Sequence, residues 1–180
     1  MTKEKQTEPV IAAVLDRILL GIGHAASWLI AVLIGVILLQ VVLRYLFNFS
    51  HVALEEIQWH LYAVVILMGL AHAQTTNSHI RLDVLHLGFS RKTKELVEIL
   101  GILGFLMPMI YVFFFHSLNF VTESWMVSER SDAPLGLACR WAIKSMIPIS
   151  FGLLFIAALS RLIRAFHYLW TLKRENRHGR

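Results

Sequence analysis

Apolar residues in this chain are gathered into four long runs separated by short polar stretches. Residues 18–43, 57–80 and 99–122 contain no Asp, Glu, Lys or Arg at all. A helix needs about 20 mostly apolar residues to cross roughly 30 Å of hydrocarbon, because each residue rises about 1.5 Å. Three runs meet that length outright. The fourth uncharged run, 145–160, is shorter and completes a crossing if Trp141 and Lys144 sit at one interface and Arg161 at the other. The pattern therefore predicts an all-α membrane protein with transmembrane helices over about 18–43, 57–78, 99–122 and 141–160. Residues 161–172 keep Leu162, Ile163, Phe166, Leu169 and Trp170 beside Arg164 and His167, an amphipathic continuation along the membrane surface. Residues 1–172 then form one four-helix domain, and 173–180 a basic tail.

Composition agrees: 57% of the 180 residues are hydrophobic and 16% charged, against about 25% charged in soluble domains. The net charge of +5 at first suggests nucleic acid, but the basic residues cluster at the ends of apolar runs, where lipid headgroups lie. Four crossings put both termini and the middle connection on one side. Lys3, Lys5, Arg17, Arg81, Arg91, Lys92, Lys94, Arg161, Arg164, Lys173, Arg174, Arg177 and Arg180 fall there, and only Arg44, Arg130, Arg140 and Lys144 on the other. By the excess of cationic residues in cytoplasmic loops, both termini are predicted to be inside. Residues 1–16 mix Lys3 and Lys5 with Glu4, Glu8 and Asp16, and the apolar stretch after them is too long for a signal-peptide core, so the segment is expected to be retained. Cys139 is the only cysteine, which excludes an internal disulfide and cysteine-based metal motifs.

The connections carry the polar chemistry. Glu55 and Glu56 stand together at the mouth of the second span. The central connection, 75–98, intersperses apolar residues with Arg81 and Asp83 as an interfacial segment would, and Ser90 is placed to cap the third helix. The outer connection, 123–144, has Trp125, Trp141 and a Pro134-Leu135-Gly136 turn signal, and is expected to be ordered.

An autonomous ion-coupled carrier needs an ionisable group at membrane depth. None of the four spans contains a carboxylate; Glu55, Glu56, Glu98 and Glu123 all fall at ends. Histidines offer a different possibility. His24 and His72 lie toward one end of the first two spans, and His60 and His116 toward the other end of spans two and three, as a membrane anchor holding two haems would require. Against haem or quinone chemistry, His60 and His72 are twelve residues apart and face different directions, about 120° apart on a helix. A polar histidine near an interface needs no cofactor. There is no phosphate-binding glycine loop, no nucleophile in a triad setting and no zinc-site spacing. The expectation is a protein that is not an enzyme, with no catalytic, substrate, cofactor or metal site of its own.

Three blocks of residues resemble the small membrane subunit, the DctQ-like small permease, of tripartite ATP-independent periplasmic transporters. The first is Arg44-Tyr45-Leu46-Phe47 followed by Leu54-Glu55-Glu56-Ile57-Gln58-Trp59-His60-Leu61. The second is His79-Ile80-Arg81-Leu82-Asp83-Val84. The third runs from Ser124 and Trp125 through Glu129, Arg130 and Ser131 to Pro134, Gly136, Trp141 and Lys144, with Pro148 and Gly152 beyond. The resemblance implies a bacterial inner-membrane protein in a 1:1 heterodimer with a large membrane subunit, served by a periplasmic solute-binding protein. In such a complex the small subunit scaffolds the large one, which holds the substrate and sodium sites. The cargo is an organic anion such as a dicarboxylate, sugar acid or sulfonate. Membrane lipids are the other expected partners, and nucleic acid is not one. Glu55, Glu56, Arg81, Asp83, Glu129 and Lys144 are the expected polar fixing points, toward the partner or between helix ends of this chain.

Overall fold

The computed structural model describes residues 9–76 and 90–178. The described residues fold as helices joined by short connections: α1 (Val10–Leu46), α2 (Val52–Thr75), α3 (Arg91–Gly101), a π-helical turn (Ile102–Leu106), α4 (Met107–Met126) and α5 (Arg140–His178). With α3, the π turn and α4 forming one continuous rod, four helices are long and apolar enough to cross a membrane. Three of them outrun the uncharged run that predicts them, because charged residues at an end can extend along the helix axis while their heads leave the hydrocarbon; α2 is shifted, taking in Glu55 and Glu56 at its start and stopping at Thr75. The expected interfacial stretch containing His79, Arg81 and Asp83, and the segments 1–8 and 179–180, lie outside the described residues.

α5 organises the bundle. It packs on α1, α2, α3 and α4, whereas α2 and α4 share no packed face. The most apolar stretch of α5 is 44% buried, against 6% for those of α1 and α2. Small residues make this possible: Ala157, Ala158, Ser160 and Ala165 are almost wholly buried, so neighbouring backbones approach closely without the large side chains that would hold them apart. One apolar cluster joins Ile99, Ile102 and Ile110 to Phe151, Leu154, Ala158, Leu162 and Ala165. A smaller one joins Leu19, Ala71 and Ala157. Since Leu162 and Ala165 belong to the first cluster, α5 continues past Arg161 as part of the bundle, without a break into a separate surface helix.

Two features of the sequence explain local geometry. Pro108 has no backbone N–H and its ring would crowd the carbonyl of Gly104 in a regular helix; the π turn immediately before it widens the helix at that carbonyl. Ser90 caps α3, its hydroxyl accepting a bond from the Thr93 backbone N–H at 3.3 Å, as its position predicts.

Candidate functional site

The charged side chains of the described bundle form two layers, one at each end, with an uncharged stretch between them. At one end α5 sends Arg161 and Arg164 toward different helices. Arg161 grips Glu98 with two nitrogens, Nε at 2.6 Å and a terminal nitrogen at 2.5 Å, and reaches Glu95 at 2.9 Å. Arg164 pairs with Asp16 of α1, and the Ser160 hydroxyl donates to the same carboxylate at 2.6 Å while lying 3.2 Å from the Ala12 carbonyl. The Asp16, Glu95, Glu98 and Arg161 side chains are each less than one fifth exposed. These carboxylates lie inside the helices and are paired within the chain. By sequence Glu98 falls at the end of a span and Asp16 in the mixed-charge N-terminal segment, and neither position by itself points to a partner. Matching i, i+3 spacings of opposite charge, Glu95/Glu98 and Arg161/Arg164, were the available signal.

At the other end several of the sequence-selected residues converge. The Glu56 carboxylate accepts from the Ser131 hydroxyl and, at 2.5 Å, from the Leu137 backbone N–H, tying α2 to the connection between α4 and α5. Ser131 also accepts from Ala133 N–H at 3.2 Å, and its own N–H donates to the Leu137 carbonyl at 3.1 Å. The Pro134 turn closes with the Gly136 N–H donating to the Ala133 carbonyl at 3.0 Å. Its left-handed residue is Leu135 (φ 64°), not Gly136. Glycine is needed at 136 for space: a Cβ there would lie 2.4 Å from the Ser131 Cβ and 2.9 Å from a Glu56 oxygen. Glu129 pairs with Lys144, whose ammonium also lies 3.9 Å from the centre of the Phe120 ring, and Arg140 stands 3.8 Å from Glu129. The Lys144 hydrogen bond, first among the causes, holds the Glu129 carboxyl below the usual carboxylate range. Trp125 and Trp141 meet edge to face at 4.5 Å between ring centres.

The remaining residues of the resemblance behave differently. Glu55 accepts from Gln40 of α1 at 2.8 Å, and Gln58 donates to the same Gln40, a polar ladder between α1 and α2 that the sequence reading missed. Arg44 is exposed at the end of α1, and His60 is half-buried. Trp59 is 70% exposed, with Tyr62 beside it. Of the two histidine pairs, His24 and His72 stand 5.7 Å apart. His60 and His116 sit on α2 and α4, which do not pack together, and the His116 Nδ1 bonds the Val112 carbonyl of its own helix at 2.9 Å. The two-pair arrangement that haem would require is not assembled. No group of three potential metal ligands occurs among the described residues.

Beyond these layers the surface is apolar. In α1 the buried residues Ala12, Asp16, Leu19, Gly23 and Ala26 all lie in the half nearest Val10; beyond Trp28 only a stripe through Leu29, Leu33, Val36, Gln40 and Leu43 is half-buried, and the large apolar side chains on the other faces are exposed. A family model described as the DctQ component of tripartite ATP-independent periplasmic transporters matches residues 33–167. No curated protein matches the chain.

Proposed function

The chain belongs to the DctQ family of tripartite ATP-independent periplasmic transporters, and we propose that it is the non-catalytic small subunit that scaffolds the large transport subunit during sodium-driven import of an organic anion. A multi-pass membrane component of a tripartite transporter implies a large membrane subunit and a soluble binding protein as partners. The observation that carries the scaffold role is the pairing of the carboxylates. Asp16, Glu95 and Glu98 are held by arginines, and Glu56 and Glu129 by the outer connection and Lys144. Between those layers the four helices contain no Asp, Glu, Lys or Arg. A side chain already neutralised in a rigid contact is poorly suited to bind and release a travelling cation, so coupling falls to a partner chain.

The exposed apolar outer half of α1 supplies more packing surface than this bundle covers. In lipid such a surface associates by close packing, since lipid tails are themselves apolar. We assign the Asp16 end to the cytoplasm and the Glu56 end to the periplasm, in the inner membrane, on the charge asymmetry of the sequence. The partner ratio is expected to be 1:1, and the cargo a carboxylate or sulfonate.

The test is uptake into cells or proteoliposomes carrying this chain, the large membrane protein of the same gene cluster and the secreted binding protein. Accumulation that follows the sodium gradient and requires all three is the expected result. Uptake by this chain alone, or undiminished uptake without it, overturns the reading.

A further inference from the structure

At the Glu56 end, a cup of about 370 Å³ opens between the end of α4 and the start of α5, lined by Trp125, Ser128, Arg130, Ala138, Cys139 and Trp141. Every polar side chain on that lining can donate a hydrogen bond: the guanidinium, two indole N–H groups, a hydroxyl and a thiol. No acidic side chain lines it. The acids next to it are engaged elsewhere, Glu129 with Lys144 and Arg140, and Asp132 with Arg140 at 3.8 Å. Arg130 is exposed and makes no ion pair among the described residues. A positive group backed by donors and flanked by two indoles suits an anion carrying an apolar body.

We propose that this cup holds the phosphodiester headgroup of an anionic phospholipid. The level of the cup favours a lipid. Trp125 lies one residue from the end of α4 and Trp141 one residue into α5, where spans leave the hydrocarbon and indoles settle among headgroups. A phosphate placed against Arg130 leaves its glycerol backbone beside the tryptophan rings and its acyl chains along α4. The proposal rests on the membrane placement of these helices and on nothing about the transported solute.

Cys139 lines the cup, is exposed and is the only cysteine in the chain, so it serves as the reporter. The full chain is placed in nanodiscs of phosphatidylcholine alone or with phosphatidylglycerol, and its alkylation by N-ethylmaleimide is followed from the mass of the intact chain. Phosphatidylglycerol is expected to slow the reaction by about fivefold, the scale of one exposed ion pair. The difference is expected to vanish in Arg130→Gln and to return in part in Arg130→Lys. Equal rates in the two lipids overturn the proposal. Equal slowing in the wild type and Arg130→Gln also overturns it, since a general surface potential acts on both. Protection in phosphatidylcholine discs by soluble glycerol phosphate, or only by the added solute-binding protein, assigns the cup to a free phosphate ester or to a protein contact instead.

Discussion

At the scale of single residues, the glycines separate space from sequence context. A Cβ on Gly23 would come within 2.2 Å of the His72 ring, whereas one on Gly21 or Gly35 would meet nothing within 4 Å. Gly23→Ala is therefore expected to wedge α1 from α2 at a cost of about 1–3 kcal/mol, and Gly35→Ala to be neutral or stabilising; thermal unfolding in detergent separates them. Glu129 yields a pH prediction. Its carboxyl is held down chiefly by Lys144, so its contribution to the folded state is present above the ordinary glutamate pKa and is lost only as pH falls through the lower, folded value. The Trp125–Trp141 fluorescence signal should stay constant from neutral pH through the ordinary glutamate range and change only below it. In Lys144→Met the change should move up toward that range; an unmoved transition would remove Lys144 as the cause.

At the scale of elements, the π turn sets the phase of the third span. Ile102 and Ile110 are both buried against α5, yet eight residues on a regular helix leave them about 80° out of phase. A π turn accommodates about one extra residue, which removes most of that offset. Deleting Gly104 together with Pro108→Ala should therefore yield a plain α-helix with the same residues facing α5, at a cost of about 1 kcal/mol. Deleting Val112 should rotate everything before it by about 100° and abolish folding. Recovery of monodisperse protein distinguishes the two. The arginine contacts belong to this scale as well, since Arg161 fixes α3 and Arg164 fixes α1 against α5. Arg161→Met leaves Glu95 and Glu98 facing each other without their cation and is expected to cost about 3 kcal/mol, measured by unfolding in a mild detergent.

At the scale of the whole molecule, α5 is a central post, and the half of α1 nearest Leu46 leaves most of its apolar side chains exposed. Trp59, with most of its surface exposed, tests the partner side without touching the bundle. Trp59→Ala should leave the stability of the chain within about 0.5 kcal/mol and weaken recovery of the large subunit by about tenfold or more if it is a central contact. Replacing Glu55, Glu56 and Trp59 together with no loss of complex or uptake would remove that block from the interface.

Much of this was legible along the chain. Uncharged runs long enough to cross a bilayer, the cap at Ser90 and the ordered outer connection follow from local rules, because length, hydropathy and capping depend on neighbours in sequence. The blocks around Glu56, Glu129 and Trp141 could be singled out as a family pattern, but not what each residue touches. Only the tertiary structure decided that Glu98 and Asp16 are paired inside the bundle, that Gly136 makes room for a carboxylate from α2, that the π turn aligns Ile102 with Ile110, and that His60 and His116 stay apart. These depend on which helices pack together and at what rotation. Hydropathy specifies how far a segment travels through lipid, but it is nearly silent about rotation, because every face of such a helix is apolar.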